Sequence, residues 1–583
     1  MKTGQKRHKA PLKELGAKAM NAVIIKIMVT RGKRAMRTLD SDSKNAIEIS
    51  EQLLRKLLEE NKDTEYGKKY GFADIHSIAE YQEKIPLTHY DDYAPYIERM
   101  IHGGEENLLS AAPTMHYALS SGSVGVPKHI PASQTELDIY AKYGTSMCFA
   151  VADEYYRNTT GKHMKSGMLF NAIEVKLMKT ERGIPKGPIS GALLEPVQKM
   201  IPYAITSPWS LITAEGDVDM KYLKLRFALE RRDITILLAA FMTGLVDLMD
   251  YLRENWPMLC RDISQGVIDP DIRMPQELRA DLEARLTPNS SRADELRREF
   301  EKGFDTPIIP RIWPDVQAAF AIGTGGFSTY SRKLRKYTGK NIPYEYLTYA
   351  ASEALMGTAR HCGDTSYVLV PESGFYEFIP IKEEESGKLL TIDQLKEGEE
   401  YEVVLTNVSG FYRYLIRDVI RVTGFYNEAP LIEFVYRKSQ MLSIAGEKTN
   451  EEAVRWVIDE FMRQTGETVV DYSVFADVDT QPGHYVVLME TDGIVPPEKL
   501  EEYRDIVEEK LMHANPSFGD KIRTGVLGKT ELKFVQQQTY QLYRDLMIMK
   551  GTSSNQLKPV RVIDTPMKER FFFGLVEDYG GEA

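Results

Sequence analysis

The sequence predicts a two-part α/β protein, and three observations carry that prediction. Segments readable as strands and helices alternate from Met115 onward, the pattern of a layered sheet with helices on its faces. Beyond Glu399 the texture changes to long alternating strands, and past Arg437 a smaller α+β unit follows. The chain has 583 residues, 43% of them hydrophobic, enough to build more than one core. A large N-terminal domain of mixed sheets, residues 1–435, and a small C-terminal domain, residues 436–583, are therefore expected. No low-complexity linker separates them near 435–438, which favours a shared hinge over a floppy tether.

The elements follow in order. "AMNAVIIKIMV" has the apolar look of a signal-peptide core, but Lys26 interrupts it and basic residues continue to Arg37. No small-residue cleavage pattern closes it, so a basic, partly apolar first helix is expected. Ala46, Ile49, Leu53 and Leu57, with Leu54 and Leu58, recur at helical spacing. "DMKYLKLRFALERRD" reads as helix and "ITILLAAF" as a buried strand. "GLVDLMDYLRENW" returns to helix, with Leu245, Leu248, Met249, Leu252 and Trp256 on one face. "VQAAFAI" and "IPYEYLTY" read as strands around the helical "STYSRKLRKYTG". "YEVVLTNV" and "GFYRYLIRDVIRVTGFY" read as long strands. Thr449 and Glu452 fit a capping box opening a helix to Met462, with Gly466 just past its end. Strands "VVDYSVFADV" and "HYVVLME" and a helix over about 497–514 complete the small unit.

Composition excludes several classes. A net charge of -11 and a pI near 5.6 leave no surplus of cations for a general nucleic-acid binder. Cys148, Cys260 and Cys362 are too far apart in sequence for a zinc site or a secreted disulfide framework, so three reduced thiols in a cytoplasmic protein are expected. No stretch reaches the ~18 uninterrupted apolar residues of a membrane span, and stable membrane insertion is not expected.

"ALSSGSVGVPKHIP", residues 118–131, is the first candidate for chemistry. It fails as a Walker loop: Gly122 and Gly125 are too close, and Lys128 follows a proline with no Ser or Thr after it. Pro127 and Pro131 forbid a helix at the lysine, and the next helix start is Ser133, with Glu136 at capping-box spacing. The stretch still suits an anion. Ser120, Ser121 and Ser123 offer hydroxyls, Gly122 and Gly125 let backbone N–H groups approach closely, and Lys128 supplies charge. The same composition also makes an ordinary turn.

Ser-Ser-Gly-Ser-Val-Gly-Val-Pro-Lys resembles the phosphate loop of the adenylate-forming superfamily of acyl-CoA synthetases, adenylation domains and luciferases, with Val124 in place of a threonine. "YAASE", residues 349–353, is similar to that superfamily's aromatic–small–x–Ser/Thr–Glu segment. The resemblance implies that Tyr349 stacks on adenine, Ser352 contacts the phosphates and Glu353 is the carboxylate beside Mg²⁺, a hard cation that takes few protein oxygens. The stretch 410–454, opening "GFYRYLIRDVIRVTGFY", resembles the auxin-responsive Gretchen Hagen three family of acyl-acid amido synthetases and its Tyr-Arg-Tyr-Arg-x-Gly-Asp motif. "DTEYGKKYGF", "IPLTHYDDYAPYIERM" and "GTSSNQLKPVRV" extend the likeness over nearly the whole chain. By this match Asp418 accepts the ribose hydroxyls of ATP and Arg437 stands at the hinge, while Lys558 falls where the superfamily carries a mobile catalytic lysine. Leu415 and Arg417 depart from the motif, replacing an arginine and a glycine.

What the resemblance implies is an adenylate-forming fold and a ligase that uses ATP and Mg²⁺. A carboxylic acid would be activated as acyl-AMP and passed to an amino acid or other amine. A thiol acceptor such as coenzyme A, and a non-catalytic ATP-binding regulator of the same fold, are the alternatives.

Overall fold

The computed structural model describes residues 12–120, 128–324, 327–438, 442, 444–445, 447, 449–550, 552 and 557–578. The chain divides into two compact units: Met1–Ile416 with Arg421–Glu433, and Arg417–Ile420 with Phe434–Ala583. Both are mixed α/β.

Among the described residues the larger unit builds three sheets. A parallel sheet runs in the order Met168–Asn171, Ile234–Phe241, Ala318–Ile322, Tyr344–Glu345. The helix Met242–Gln265 covers it, burying Leu245, Leu248, Met249 and Leu252 but leaving Trp256 only half-buried. Trp313 is fully enclosed in the same core, and each such side chain contributes about 1.5–3 kcal/mol by leaving water. A mixed sheet runs Lys128–Ser133, Thr114–Ser120, Pro185–Gly187, Met178–Lys179. The third has seven strands: Gly374–Pro380, Glu400–Asn407, Tyr414–Tyr426, Ala429–Arg437, Tyr367–Leu369, Leu355–Thr358, Thr348–Ala350. Two of these, Tyr414–Tyr426 and Ala429–Arg437, contribute residues to both units.

The basic first helix is Leu12–Asp42, and the stripe from Ala46 forms Ala46–Asn61. One expected strand is broken. "IPYEYLTY" yields Tyr344–Glu345 and Thr348–Ala350, because Leu347 between them holds φ 60° and turns the chain from the parallel sheet into the seven-stranded one.

In the smaller unit Val469–Asp477 pairs antiparallel with His484–Thr491, which pairs in parallel with Glu531–Phe534. Helices Glu451–Thr465 and Leu500–Ala514 pack together around Phe461 and Val507. The cap of the first differs from expectation. Asn450, not Thr449, is the N-cap, and its Oδ1 accepts from Ala453 N at 2.8 Å. Thr449 is instead bridged to Leu442. Gly466 closes the helix at φ 79°, a conformation that suits glycine.

Cys148 and Cys260 are buried and Cys362 is half-buried, all as free thiols, and burial pushes each thiol well up.

Candidate functional site

In the larger unit antiparallel strands flank the serine/glycine stretch. Ser120 faces Lys128 across antiparallel strands. Of Ser120 only the backbone is described, and Ser121, Gly122, Ser123, Val124 and Gly125 lie outside the described residues. Ser133 caps the following helix, accepting from Glu136 N at 3.3 Å. The expected box is not completed, because the Ser133 N–H goes to Ser409 Oγ at 3.1 Å. Glu136 turns inward, 1% exposed, and neither carboxyl oxygen completes a hydrogen bond. Burial pushes its carboxyl up to about 8; the nearby Leu355 backbone and Ser409 oppose that rise in part, and the Glu353 charge adds to it.

Lys128 opens the strand Lys128–Ser133, and its Nζ lies 5.1 Å from the centre of the Tyr90 ring. Tyr90 OH accepts from His129 N at 2.9 Å, which fixes the phenol beneath the cation. Burial raises the Tyr90 phenol, and the carboxylates of Glu98, Asp91 and Glu353 reinforce that rise. Lys128 is therefore carried on the face of a phenol that the His129 backbone holds in place.

Glu353 sits on a hairpin turn. Thr348–Ala350 and Leu355–Thr358 form an antiparallel hairpin, Ala351 N donates to Ala354 O at 2.9 Å, and Ser352 and Glu353 occupy the turn between them. This is the edge of the seven-stranded sheet rather than the carboxyl end of a parallel strand. The turn is held from outside. Asn407 Nδ2 donates to Glu353 O at 2.8 Å, Tyr140 OH donates to Ala351 O, and Tyr414 OH donates to Glu353 Oε1 at 3.3 Å. Asn407 Oδ1 in turn accepts from Ser409 and Phe411 N–H. Tyr140 begins a π-helical run, Tyr140–Ser146, a widened turn of a type that recurs at functional sites.

Tyr349 is buried, with its ring 6.4 Å from that of Tyr367. Tyr367 OH meets Thr324 Oγ1 at 3.2 Å. Thr324 follows the parallel strand Ala318–Ile322 through Gly323, at the strand end where ligands gather in α/β sheets. A Cβ on Gly323 would come within 2.3 Å of Ser331 Oγ, so the close approach requires glycine. At the neighbouring strand end Phe241 stacks on Phe327 at 4.4 Å and 9°. Sequence reasoning missed Tyr90, Thr324, Phe241 and Phe327. "GTGGFST" directly after a strand was a usable signal for Thr324 and Phe327, whereas Phe241 and Tyr90 are brought to their partners only by tertiary packing.

The motif text of 410–418 divides. Tyr412 is fully buried and stacks on Tyr66 at 5.1 Å and 15°, and Arg413 pairs with Glu377 inside the core, Nε to Oε2 3.0 Å. These are structural groups of the larger unit. In the smaller unit, Arg437 Nε donates to Asp418 Oδ1 at 2.6 Å, with the aspartate buried and the arginine one-third exposed. Arg417, standing where the motif has glycine, holds φ 70°, a left-handed conformation that costs about 1–2 kcal/mol for a side chain with Cβ. Lys558 is exposed on a segment running beside Val469–Asp477, where Ser473 Oγ donates to Val560 O at 2.5 Å. Gly551, Ser553 and Ser554 lie outside the described residues.

A layered body of this design with a compact α+β unit after it defines, once its relatives are set beside it, a ligase that forms amide bonds. Residues 35–343 match the GH3 family N-terminal domain, 367–437 the GH3 family central domain and 452–567 the GH3 family C-terminal domain. Indole-3-acetic acid-amido synthetase GH3.8 of Oryza sativa subsp. indica is 31% identical over 556 residues, covering 91% of this chain and 90% of its own length. The probable indole-3-acetic acid-amido synthetase GH3.1 of Arabidopsis thaliana is 30% identical, covering 92% of each. The solved structure of AtGH3.15 acyl acid amido synthetase in complex with 2,4-DB superposes with a TM-score of 0.82 at 25% identity, over 94% of this chain and 97% of that one. The chain belongs to the GH3 family, and its class is acyl-acid amido synthesis.

Proposed function

We propose that the protein is an ATP-dependent amido synthetase that activates a carboxylic acid as acyl-AMP and transfers the acyl group to an amino acid or other amine. The observation that carries the siting of this chemistry is the Lys128 ammonium held on the face of Tyr90, in the same unit as the turn that carries Glu353. A cation and a partly buried carboxylate suit a polyphosphate: Lys128 would meet its oxygens directly, and Glu353 would hold a metal beside them. Among the described residues no three His, Cys, Asp or Glu side chains form a protein-only metal cage. One half-buried carboxylate fits Mg²⁺, which keeps waters and phosphate oxygens as its other ligands. When bound, Mg²⁺ supplies neutralising charge at the phosphates.

In the first step an oxygen of the acid's carboxylate bonds to the α-phosphorus of ATP and the bond to pyrophosphate breaks. Lys128 and Lys558 are assigned to stabilise the charge that develops. Tyr349 would stack on the adenine and Ser352 reach the phosphates. Asp418, oriented by Arg437, would accept the ribose hydroxyls. In the second step the amine nitrogen bonds to the acyl carbon, the carbon–oxygen bond to AMP breaks, and the amine proton goes to solvent. Rotation of the C-terminal unit between the steps is part of the proposal.

Carboxylate-dependent exchange of labelled pyrophosphate into ATP, run across an acid library and then with pooled amino acids or coenzyme A, tests the reading. Exchange that depends on an acid, followed by amide formation from an amino acid, is the expected result. ATP binding with no acid-dependent exchange would overturn it, and a thioester as sole product would overturn the amine acceptor.

A further inference from the structure

The first helix has a use for only one of its faces inside the protein. Inward, Asn21 Nδ2 donates to Gly167 O at 3.0 Å and Tyr203 O at 2.8 Å, Lys33 pairs with Asp153 at 2.8 Å, and Ala35, Met36 and Leu39 are buried. Outward, Leu15, Met20, Val23 and Ile27 are 59%, 44%, 52% and 44% exposed. Leu15, Val23 and Ile27 repeat at multiples of four, so they line one side of the helix.

That side continues in charge. Lys18, Lys26, Arg31, Arg34 and Arg37 are all exposed, and no Asp or Glu occurs between Leu15 and Leu39. The apolar patch also continues in space. The segment around Ile201–Ala204 packs against the first helix and carries exposed Val197, Met200 and Tyr203, with Lys199 among them. Of the 19 large hydrophobic side chains exposed among the described residues, 7 lie on these two neighbouring segments. A cationic, apolar face on a protein of net charge -11 is a local reversal of the protein's overall character.

We propose that this face docks on the surface of an anionic lipid bilayer. The four apolar side chains of the helix and those of the adjoining segment would enter the headgroup boundary, with the five cations against lipid phosphates. Tyr203 suits that boundary with an apolar ring and a polar tip. The contact is peripheral, since no described helix is long and apolar enough to cross a membrane. A second copy of this chain would bring the same cations face to face, and a nucleic acid would leave the apolar side chains without a partner.

Co-sedimentation of the full chain with vesicles of phosphatidylcholine, alone or mixed with phosphatidylglycerol, tests this. Pelleting is expected with the mixed vesicles only, and is reversed by salt. The double substitutions Val23→Asp with Ile27→Asp, and Arg34→Glu with Arg37→Glu, should each lower partitioning at least about tenfold while thermal melting stays as in the unsubstituted protein. Equal pelleting with both lipids, none with either, or pelleting that both double variants retain would overturn the proposal. So would lipid-free self-association that Val23→Asp with Ile27→Asp disperses, which would assign the face to a second copy. Should the aspartate pair impair folding, the glutamate pair, set on exposed positions, decides alone.

Discussion

Glu377 and Glu136 are both almost fully buried in the larger unit, at 1% exposure each, yet they meet opposite surroundings. Burial holds the Glu377 carboxyl above its ordinary value, and the guanidinium of Arg413 offsets only part of that rise. Among the described residues no cation pairs with Glu136, and burial together with the Glu353 charge pushes its carboxyl up to about 8. Depth raises both carboxyls, and the partner decides how much of that rise is offset. The same contrast separates the two arginine–carboxylate pairs of the 410–437 region. Arg413 and Glu377 are closed off on both sides, whereas Arg437 keeps a third of its side chain in solvent beside Asp418. The closed pair reads as architecture, whereas the half-open pair keeps its guanidinium partly in water.

Removing Arg413 is the most severe way to break the comparison. Arg413→Ala leaves Glu377 buried without its cation and should cost about 3–5 kcal/mol of unfolding free energy, measured by urea denaturation. A loss below about 1 kcal/mol would mean that water reaches the pair.

Next comes the titration of Glu136. Its folded carboxyl lies above its ordinary value of 4.5, so its contribution is fully present below pH 4.5 and is lost as pH rises toward about 8. The gap corresponds to at most roughly 5 kcal/mol. Glu136→Gln should therefore flatten the decline in stability between pH 4.5 and 8 and melt higher than the unsubstituted protein at pH 8. Parallel stability curves for the two proteins would show that Glu136 titrates normally.

Lys128 and Glu353, which the proposed reaction assigns to the nucleotide, sharpen the contrast from the functional side, since both are only partly buried. Lys128→Ala and Glu353→Gln should each reduce acid-dependent pyrophosphate exchange about 10²–10³-fold with little change in melting temperature. A stability loss without loss of exchange would move them to the structural side.

The smallest effect is at Arg417. Substituting either Gly or Ala removes the same side chain, so the difference between the variants isolates the backbone at φ 70°. Arg417→Gly should be more stable than Arg417→Ala by about 1 kcal/mol.

Much of the fold could be read from hydrophobic period alone. "ITILLAAF" and "VQAAFAI" are strands of the parallel sheet, and the stripe from Leu245 to Leu252 is its covering helix. These are long, regular segments whose burial repeats with the backbone. Single-residue geometry was harder to foresee. Leu347 at φ 60° splits one apparent strand, and Asn450 takes the cap that Thr449 gives up to Leu442. Both choices are made by tertiary contacts, which override local preference. The same holds at the candidate site. "YAASE" could be singled out by its residues, but its position on an antiparallel hairpin depends on the turn at Leu347. Within the motif at 410–418, Tyr412 and Asp418 look equally functional as text and both are buried; only their partners, the Tyr66 ring and the partly exposed Arg437, tell them apart.

The thiols carry a practical consequence. With Cys148, Cys260 and Cys362 all shifted toward the protonated form by burial, none presents much thiolate to an alkylating dye at neutral pH. A cysteine engineered at an exposed position, one on each unit, would outpace all three in labelling. Fluorophore pairs can thus be installed in the native background, and the separation of the two units followed through a turnover without first stripping the protein of its own sulfur.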